Sequence, residues 1–317
     1  MKILVTPTSF NKPVNDEAKK MLEAFAGEVV YNEFGRPLEA REVAQMLEGV
    51  DGYIAGLDYI TADALEGADA LKVISRYGAG VDRVDLGAAK DKGIVVTNTP
   101  GTNAVAVCEL AFALMLSLAR AVPRLDGAVK SGQWPRNNGM ELNGKTLGIV
   151  GFGAIGKNLA TRAKAFGMDV IAYDPYFDEA FAKVNGVVKS TLEEVISGSD
   201  FISLHVPLNE HTKHMIGAKQ IADMKQGAYI INTARGGLVD ESAAADALIS
   251  GKLGGVGLDA YEVEPVTDSP LLGLDNVVLT PHTGAHTNEA ISGMGMMSVR
   301  NLIAVMSGED CEYVVGK

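Results

Sequence analysis

The segment Leu147 to Asp174, LGIVGFGAIGKNLATRAKAFGMDVIAYD, constrains the fold more than any other stretch of the chain. Thr146 to Val150 is apolar and β-branched, the pattern of a strand buried on both faces, and a helical period begins where it ends at Gly151. The turn between them reads Gly151-Phe152-Gly153-Ala154-Ile155-Gly156. In such a turn the first glycine permits the reversal, the second lets a diphosphate approach the backbone, and the third lets the helix lie close to the strand. A second apolar strand, Asp169 to Tyr173, runs into Asp174, eighteen residues beyond Gly156. A carboxylate there holds a ribose diol and repels a 2′-phosphate. No arginine follows it directly, so the unit predicts NAD in preference to NADP.

The 317 residues are long enough for two cores of ~150 residues each. Their net charge of −12 argues against nucleic acid or an anionic membrane as a partner, though not against a small anion, which feels local charge. The longest apolar run, Ala104 to Ala119, contains Glu109 and falls short of the ~20 residues that span a bilayer. It reads as a buried helix with Asn103 at its start and Arg120 favourably placed at its end. A helix apolar nearly all round should be covered on every side, by its own core or by a second subunit, and a homodimer is the expected assembly. The opening MKILVTPTSF lacks the apolar core and cleavage site of a secretory signal, which predicts a cytoplasmic protein. Cys108 and Cys311 lie far apart with no x-x-Cys partner, so both read as structural thiols and no metal is expected.

Residues before the glycine turn have their own α/β rhythm. Strands are predicted at Lys2 to Thr6, Glu28 to Tyr31, Gly52 to Ala55, Leu71 to Ser75 and Val95 to Thr97, with helices at Asp16 to Phe25, Leu38 to Leu47 and Thr61 to Leu65. After the turn, strands follow at Phe201 to Leu204, Ala228 to Asn232, Gly255 to Leu258 and Val277 to Leu279. The helix Asn288 to Met306 is predicted to cross back and pack on the N-terminal domain. The expected fold class is therefore α/β with two doubly wound parallel sheets. A Rossmann-type NAD domain, 99–287, is inserted in a flavodoxin-like substrate domain, 1–98 plus 288–317. Ligands of such sheets bind beyond the carboxyl ends of the strands, which makes the cleft between the domains the expected site.

Three ionisable residues follow three of these strands. Arg235 lies in INTARGG, Glu264 in DAYEVEP and His282 in LTPHTGAH. Reduction of a 2-oxo acid needs a cation to clamp the carboxylate, a proton donor for the carbonyl oxygen, and an acid to keep that donor charged. Arg235, His282 and Glu264 supply those types, with Glu264 expected to lift the histidine above its usual ~6.5. His211 and His214 read as solvated loop residues, whereas His205, beside Pro207, is placed in the cofactor groove. His282 and His286 are four apart without a third ligand between them.

Over essentially its whole length the chain resembles the D-isomer-specific 2-hydroxyacid dehydrogenase family, and within it the D-3-phosphoglycerate dehydrogenases. The resemblance lies in RYGAGVDRVDL, TPGTNAVAVCELAFALML, ELNGKTLGIVGFGAIG, DFISLHVPLNEHT, GAYIINTARGGLVDE, GLDAYEVEP and LTPHTGAHT. It implies that Arg235 binds the substrate carboxylate, His282 is the acid/base and Glu264 its partner. It also implies that Asp259 bonds the nicotinamide carboxamide and that Ala154, Ile155, Val206, Thr233 and Ala234 line the cofactor; Pro207, Thr212 and Gly284 complete that set. Gly78, Ala79 and Gly80 would meet substrate through main-chain amides, and Arg76 would help hold a phosphate. The implied reaction interconverts 3-phosphoglycerate and 3-phosphohydroxypyruvate with NAD. Tyr77, where alanine is frequent, and Arg83, where asparagine is, depart from that pattern. The alternatives are a dehydrogenase of an unphosphorylated acid, of hydroxypyruvate or glyoxylate type, and a non-catalytic NADH-sensing protein. Formate dehydrogenases carry glutamine at the position of Glu264. Because the sequence ends at Lys317, soon after its final helix, feedback through a serine-binding module is not expected.

Overall fold

A computed structural model describes residues 1–316. In chain order the first elements are β1 (Lys2–Val5), α1 (Asp16–Phe25), β2 (Glu28–Tyr31), α2 (Ala40–Met46), β3 (Gly52–Ala55), α3 (Ala62–Leu65), β4 (Val73–Arg76), α4 (Leu86–Asp91) and β5 (Val95–Thr97). Then come α5 (Ala104–Arg120), α6 (Val122–Lys130), β6 (Thr146–Val150), α7 (Ala154–Ala165), β7 (Asp169–Tyr173), α8 (Glu179–Asn185), β8 (Val188–Lys189) and α9 (Leu192–Gly198). The series closes with β9 (Phe201–Leu204), α10 (Ala218–Asp223), β10 (Ala228–Asn232), α11 (Glu241–Ile249), β11 (Leu253–Leu258), β12 (Val277–Leu279) and α12 (Asn288–Ser307).

Two compact units result. The first holds residues 1–103 and 286–317, the second 104–285. The first carries a parallel sheet in the order β2-β1-β3-β4-β5, in which the direction of winding reverses between β1 and β3. The second carries β12-β11-β10-β9-β6-β7-β8, again all parallel, with its reversal between β6 and β9. The dividing points lie a few residues from the expected 98/99 and 287/288, because Thr99 bonds back to Gly78 and α5 begins only at Ala104.

Continuous apolar runs form the strands because parallel strands are covered on both faces: all four residues of β3 and all four of β9 are buried. In the first unit Leu4, Tyr53 and Ile74 pack with Leu38, Val43, Leu65 and Ala89. α12 belongs to the same unit, where the Ser75 hydroxyl donates to Ser298 O at 2.8 Å and the Thr287 side chain caps its first turn. In the second unit Leu147 and Ile149 pack with Met115, Leu159 and Ala163, while Val150, Ile202 and Ile230 pack with Val195, Ile221 and Leu248.

Several predictions from sequence differ from the structure in detail. β4 is Val73–Arg76 rather than Leu71 to Ser75, since the Leu71 amide closes a turn onto Ala68 O. β11 starts at Leu253, where the register with β10 shifts beside Gly254 and Gly255. The expected full cover of α5 is not met within the chain. Val105 is 50% exposed and Glu109 and Ala113 are exposed too, because three residues spaced by four form one stripe along the helix. Among the described residues no single helix is long and apolar enough to cross a membrane.

Candidate active site

The carboxyl edge of the seven-stranded sheet gathers the residues predicted to carry chemistry. At the end of β6, Gly151 takes φ +98° and packs so tightly that a Cβ there would lie 2.5 Å from His205 O. A Cβ on Gly156 would lie 2.2 Å from Gly151 O, whereas one on Gly153 would meet nothing. The turn is therefore closed on its strand side and open at Gly153, which stands before α7 without a side-chain cap. The first-turn amides, from Ala154 and Ile155 onward, offer donors and a positive dipole end to a diphosphate.

Asp174, half-buried after β7, accepts from the Phe152 amide at 2.6 Å and from the Tyr176 amide at 2.7 Å. It thus braces the glycine turn from the next strand. Beyond β9 the His205 amide donates to Val150 O, and its Nε2 lies 2.9 Å from the Ser203 hydroxyl. Burial pushes this imidazole down to about 4, so the ring is neutral near pH 7. Its buried Nδ1 lacks a partner among the described residues, as does the hydroxyl of Thr233 after β10. Val206 packs toward Gly151, and Thr212 donates to Pro207 O at 2.7 Å, folding the loop on itself.

An open glycine, an uncapped helix start and two buried polar atoms without partners among the described residues all lie at one sheet edge. That set fits a dinucleotide: α7 would hold its phosphates, Asp174 its ribose, and the ends of β9 and β10 its remaining polar groups.

β10, β11 and β12 are neighbours, and each delivers one of the three ionisable residues. After β10, buried Asn232 braces the turn, accepting from the Ala234 amide at 3.0 Å and donating to Arg235 O at 2.7 Å. Arg235 Nη1 donates to Ala234 O. After β11, the Glu264 carboxylate accepts from the Tyr261 amide at 3.2 Å and meets His282 Nδ1 at 2.8 and 3.0 Å. The Nδ1 proton therefore belongs to the contact with Glu264, and Nε2 is the nitrogen left to a reactant.

After β12, His282 holds φ +50°, a conformation non-glycine residues adopt at a cost of about 1–3 kcal/mol. Asp259 fixes it there. This carboxylate, 1% exposed, takes the Thr280 hydroxyl at 2.6 Å and the amides of Thr283 and Gly284 at 2.8 and 2.7 Å. Tyr261 adds a bond from its hydroxyl to Thr280 O at 2.8 Å, and burial together with Asp259 pushes this phenol up to about 12.

His214 is not simply solvated. It is half-buried with φ +50°, and its Nε2 lies 3.2 Å from Glu262. Asn232 and Tyr261 escaped the reading of the sequence, yet one trace was visible: a polar residue closes the buried run AYIIN immediately before a glycine turn.

In the first unit, the residues predicted to meet substrate lie at the end of β4 and in the loop beyond it. Arg76 is 2% exposed; its Nε donates to Gly80 O at 3.2 Å and its Nη1 to Ala55 O at 3.1 Å. The adjoining Tyr77 hydroxyl donates to Ile291 O, and Arg83 donates to Leu57 O while lying over the Tyr59 ring. The two departures from the family pattern are thus packing residues of this unit.

Comparison with known proteins gives a concordant picture. Residues 112–284 match the family model described as D-isomer specific 2-hydroxyacid dehydrogenase, NAD binding domain. The chain is 44% identical to the D-3-phosphoglycerate dehydrogenase of Methanocaldococcus jannaschii over 99% of its own length, spanning 59% of that protein. It is 45% identical to the hydroxypyruvate reductase of Thermotoga maritima over 92% of its length and 95% of the relative's. Among solved structures, D-lactate dehydrogenase from Aquifex aeolicus, complexed with NAD and lactic acid, superposes with a TM-score of 0.84 at 32% identity, covering 97% of this chain and 96% of that one.

Proposed function

The chain belongs to the D-isomer specific 2-hydroxyacid dehydrogenase family, and from that premise we propose that it interconverts a 2-oxo acid and the D-2-hydroxy acid with NAD. The observation that carries this reading is the His282–Glu264 contact, 2.8 Å at its shortest, beside the strand that delivers Arg235. The nicotinamide cofactor, when bound, supplies or accepts the hydride at C2. Arg235 clamps the C1 carboxylate. His282 delivers its Nε2 proton to the C2 oxygen as the alkoxide forms and recovers it in oxidation. Glu264 orients the ring through Nδ1 and balances its charge before the proton leaves. Asp174 favours NAD over NADP through the ribose diol.

The first substrate reading is the 3-phosphohydroxypyruvate/3-phosphoglycerate pair, after the relative from Methanocaldococcus. A second reading, an unphosphorylated acid such as hydroxypyruvate, gains support from one observation: Arg76 is buried, with two donors committed to main-chain carbonyls. NADH oxidation by the purified protein, with 3-phosphohydroxypyruvate, hydroxypyruvate, glyoxylate and pyruvate in parallel, separates the two. A kcat/KM advantage for the phosphorylated acid supports the first and the reverse supports the second. Tight NADH binding without turnover of any of them supports an NADH-sensing role instead.

The proposed assembly is a homodimer in the cytoplasm. In the second unit Val105, Val122, Val129 and Trp134 are all at least half exposed, with Trp134 at 79%, apolar side chains that a second copy would cover. Light scattering gives the mass, and Trp134→Glu should lower it to that of one chain. Cys108 and Cys311 are buried thiols not joined in a disulfide, which suits a reducing compartment.

A further inference from the structure

The loop that follows β4 is tied down on one chemical side only. Its three successive carbonyls each accept a hydrogen bond: Gly78 O from the Thr99 amide at 3.0 Å, Ala79 O from the Asn98 side-chain amide at 2.7 Å, and Gly80 O from Arg76 Nε at 3.2 Å. The amides of Gly78, Ala79 and Gly80 have no acceptor among the described residues. A run of backbone with its carbonyls engaged and its N–H groups unengaged is a donor surface for an anion. Gly78, at φ +150°, lets the chain take this course where a side chain would be strained.

The anchoring groups are themselves held. Asn98 donates its amide to Tyr313 O at 3.2 Å, and its carbonyl accepts from the Asn301 side chain of α12 at 2.9 Å. Arg76 is fixed by its second bond, to Ala55 O at the end of β3, in a position 2% exposed. The guanidinium thus ties the loop, through Gly80 O, to the end of β3, through Ala55 O.

We propose that Asn98 and Arg76 are positioning residues for anion recognition: they hold the loop with its amides outward and do not touch the substrate. The inference rests on the proposed function and deepens it. The anion taken by the loop is the C1 carboxylate common to all 2-oxo acids, and Arg76 confers no preference for a phosphate at C3.

The test uses the full chain saturated with NADH. Oxalate, a dicarboxylate without phosphate, is titrated calorimetrically into the wild type, Asn98→Ala, Arg76→Ala and Arg76→Lys, and KM and kcat are measured for hydroxypyruvate and 3-phosphohydroxypyruvate. Losing one anchor should weaken oxalate and raise KM for both acids about 10-fold, with kcat and NADH affinity changed less than about threefold. Arg76→Lys, which keeps a donor, should recover part of what Arg76→Ala loses, and the kcat/KM ratio between the two acids should stay within about threefold of the wild type in every variant. Oxalate affinity unchanged in Asn98→Ala overturns the proposal, and so does a ratio that moves about 10-fold or more in Arg76→Lys, the mark of a direct phosphate contact. If Arg76→Ala does not fold, Asn98→Ala and Arg76→Lys carry the test. A wild type that binds oxalate but turns over neither acid removes the proposed function while the titration still reads the anchors; one that does not bind oxalate removes the anchoring proposal.

Discussion

The loop after β12 and the loop after β4 both leave the carboxyl edge of a parallel sheet, and they are fixed by opposite chemistry. Residues 280–284 hang on a buried acceptor, the Asp259 carboxylate, which takes two amides and a hydroxyl. Residues 78–80 hang on donors, Thr99, Asn98 and Arg76, which take three carbonyls. The difference follows from what each loop has to offer. A loop that presents a side chain, His282, can spend its amides on internal bonds. One that presents its own amides must have its carbonyls engaged instead.

The largest effect expected from breaking this contrast is at the presented side chain. His282→Ala should lower turnover about 100- to 10,000-fold while NADH binding and the melting temperature hold, as rapid-mixing kinetics and fluorescence titration would read. Removing the acceptor comes next. Asp259→Ala leaves the amides of Thr283 and Gly284 unpaired, the second of them buried, and should cost about 2–4 kcal/mol, a fall in Tm of roughly 5–15 °C by calorimetry. Asn98→Ala, in the donor-held loop, should move Tm far less than substrate affinity; equal losses of stability in the two variants would erase the distinction.

His205, between the two sheet halves, gives a pH-dependent contribution of the same order. Its folded value of about 4 lies below the ordinary 6.5, so the unfolded chain binds the proton more readily. The neutral ring's contribution is complete above the ordinary value and is lost as pH falls from there toward 4. Between pH 7 and pH 5 the wild type should lose about 2 kcal/mol more stability than His205→Gln in denaturant titrations. The smallest effect concerns the other acceptor-held turn. Asp174→Ala should narrow the preference for NAD over NADP about 10-fold in kcat/KM, and an unaltered ratio would detach the ribose from this carboxylate.

Strands buried on both faces were legible end for end, Gly52–Ala55 and Phe201–Leu204 among them, because burial on both faces writes itself as a nearly continuous apolar run. α6 was not legible. Pro123, Arg124, Asp126 and Gly127 interrupt any apolar period there, and its residues are half-buried or exposed. Leu71 imitated a strand residue because a turn can bury a leucine equally well. Within the site, Arg235, Glu264 and His282 announced themselves by charge after a strand. Arg76 announced itself in the same way but lies buried, with two of its donors on main-chain carbonyls, which no side-chain alphabet records. Asn98 and Asn232 have no chemistry of their own and gain importance only from the backbone atoms they reach.

The bond from Asn301 to Asn98 joins residues 203 positions apart, across the whole second unit. During synthesis this sets a sequence of competence. The stretch 104–285 has all its strands once it has emerged, so its dinucleotide edge can form while α12 is still inside the ribosome. The loop at 78–80 was translated far earlier, yet the asparagine that steadies it waits for Asn301. A nascent chain can therefore complete its dinucleotide edge before the brace on its 78–80 loop.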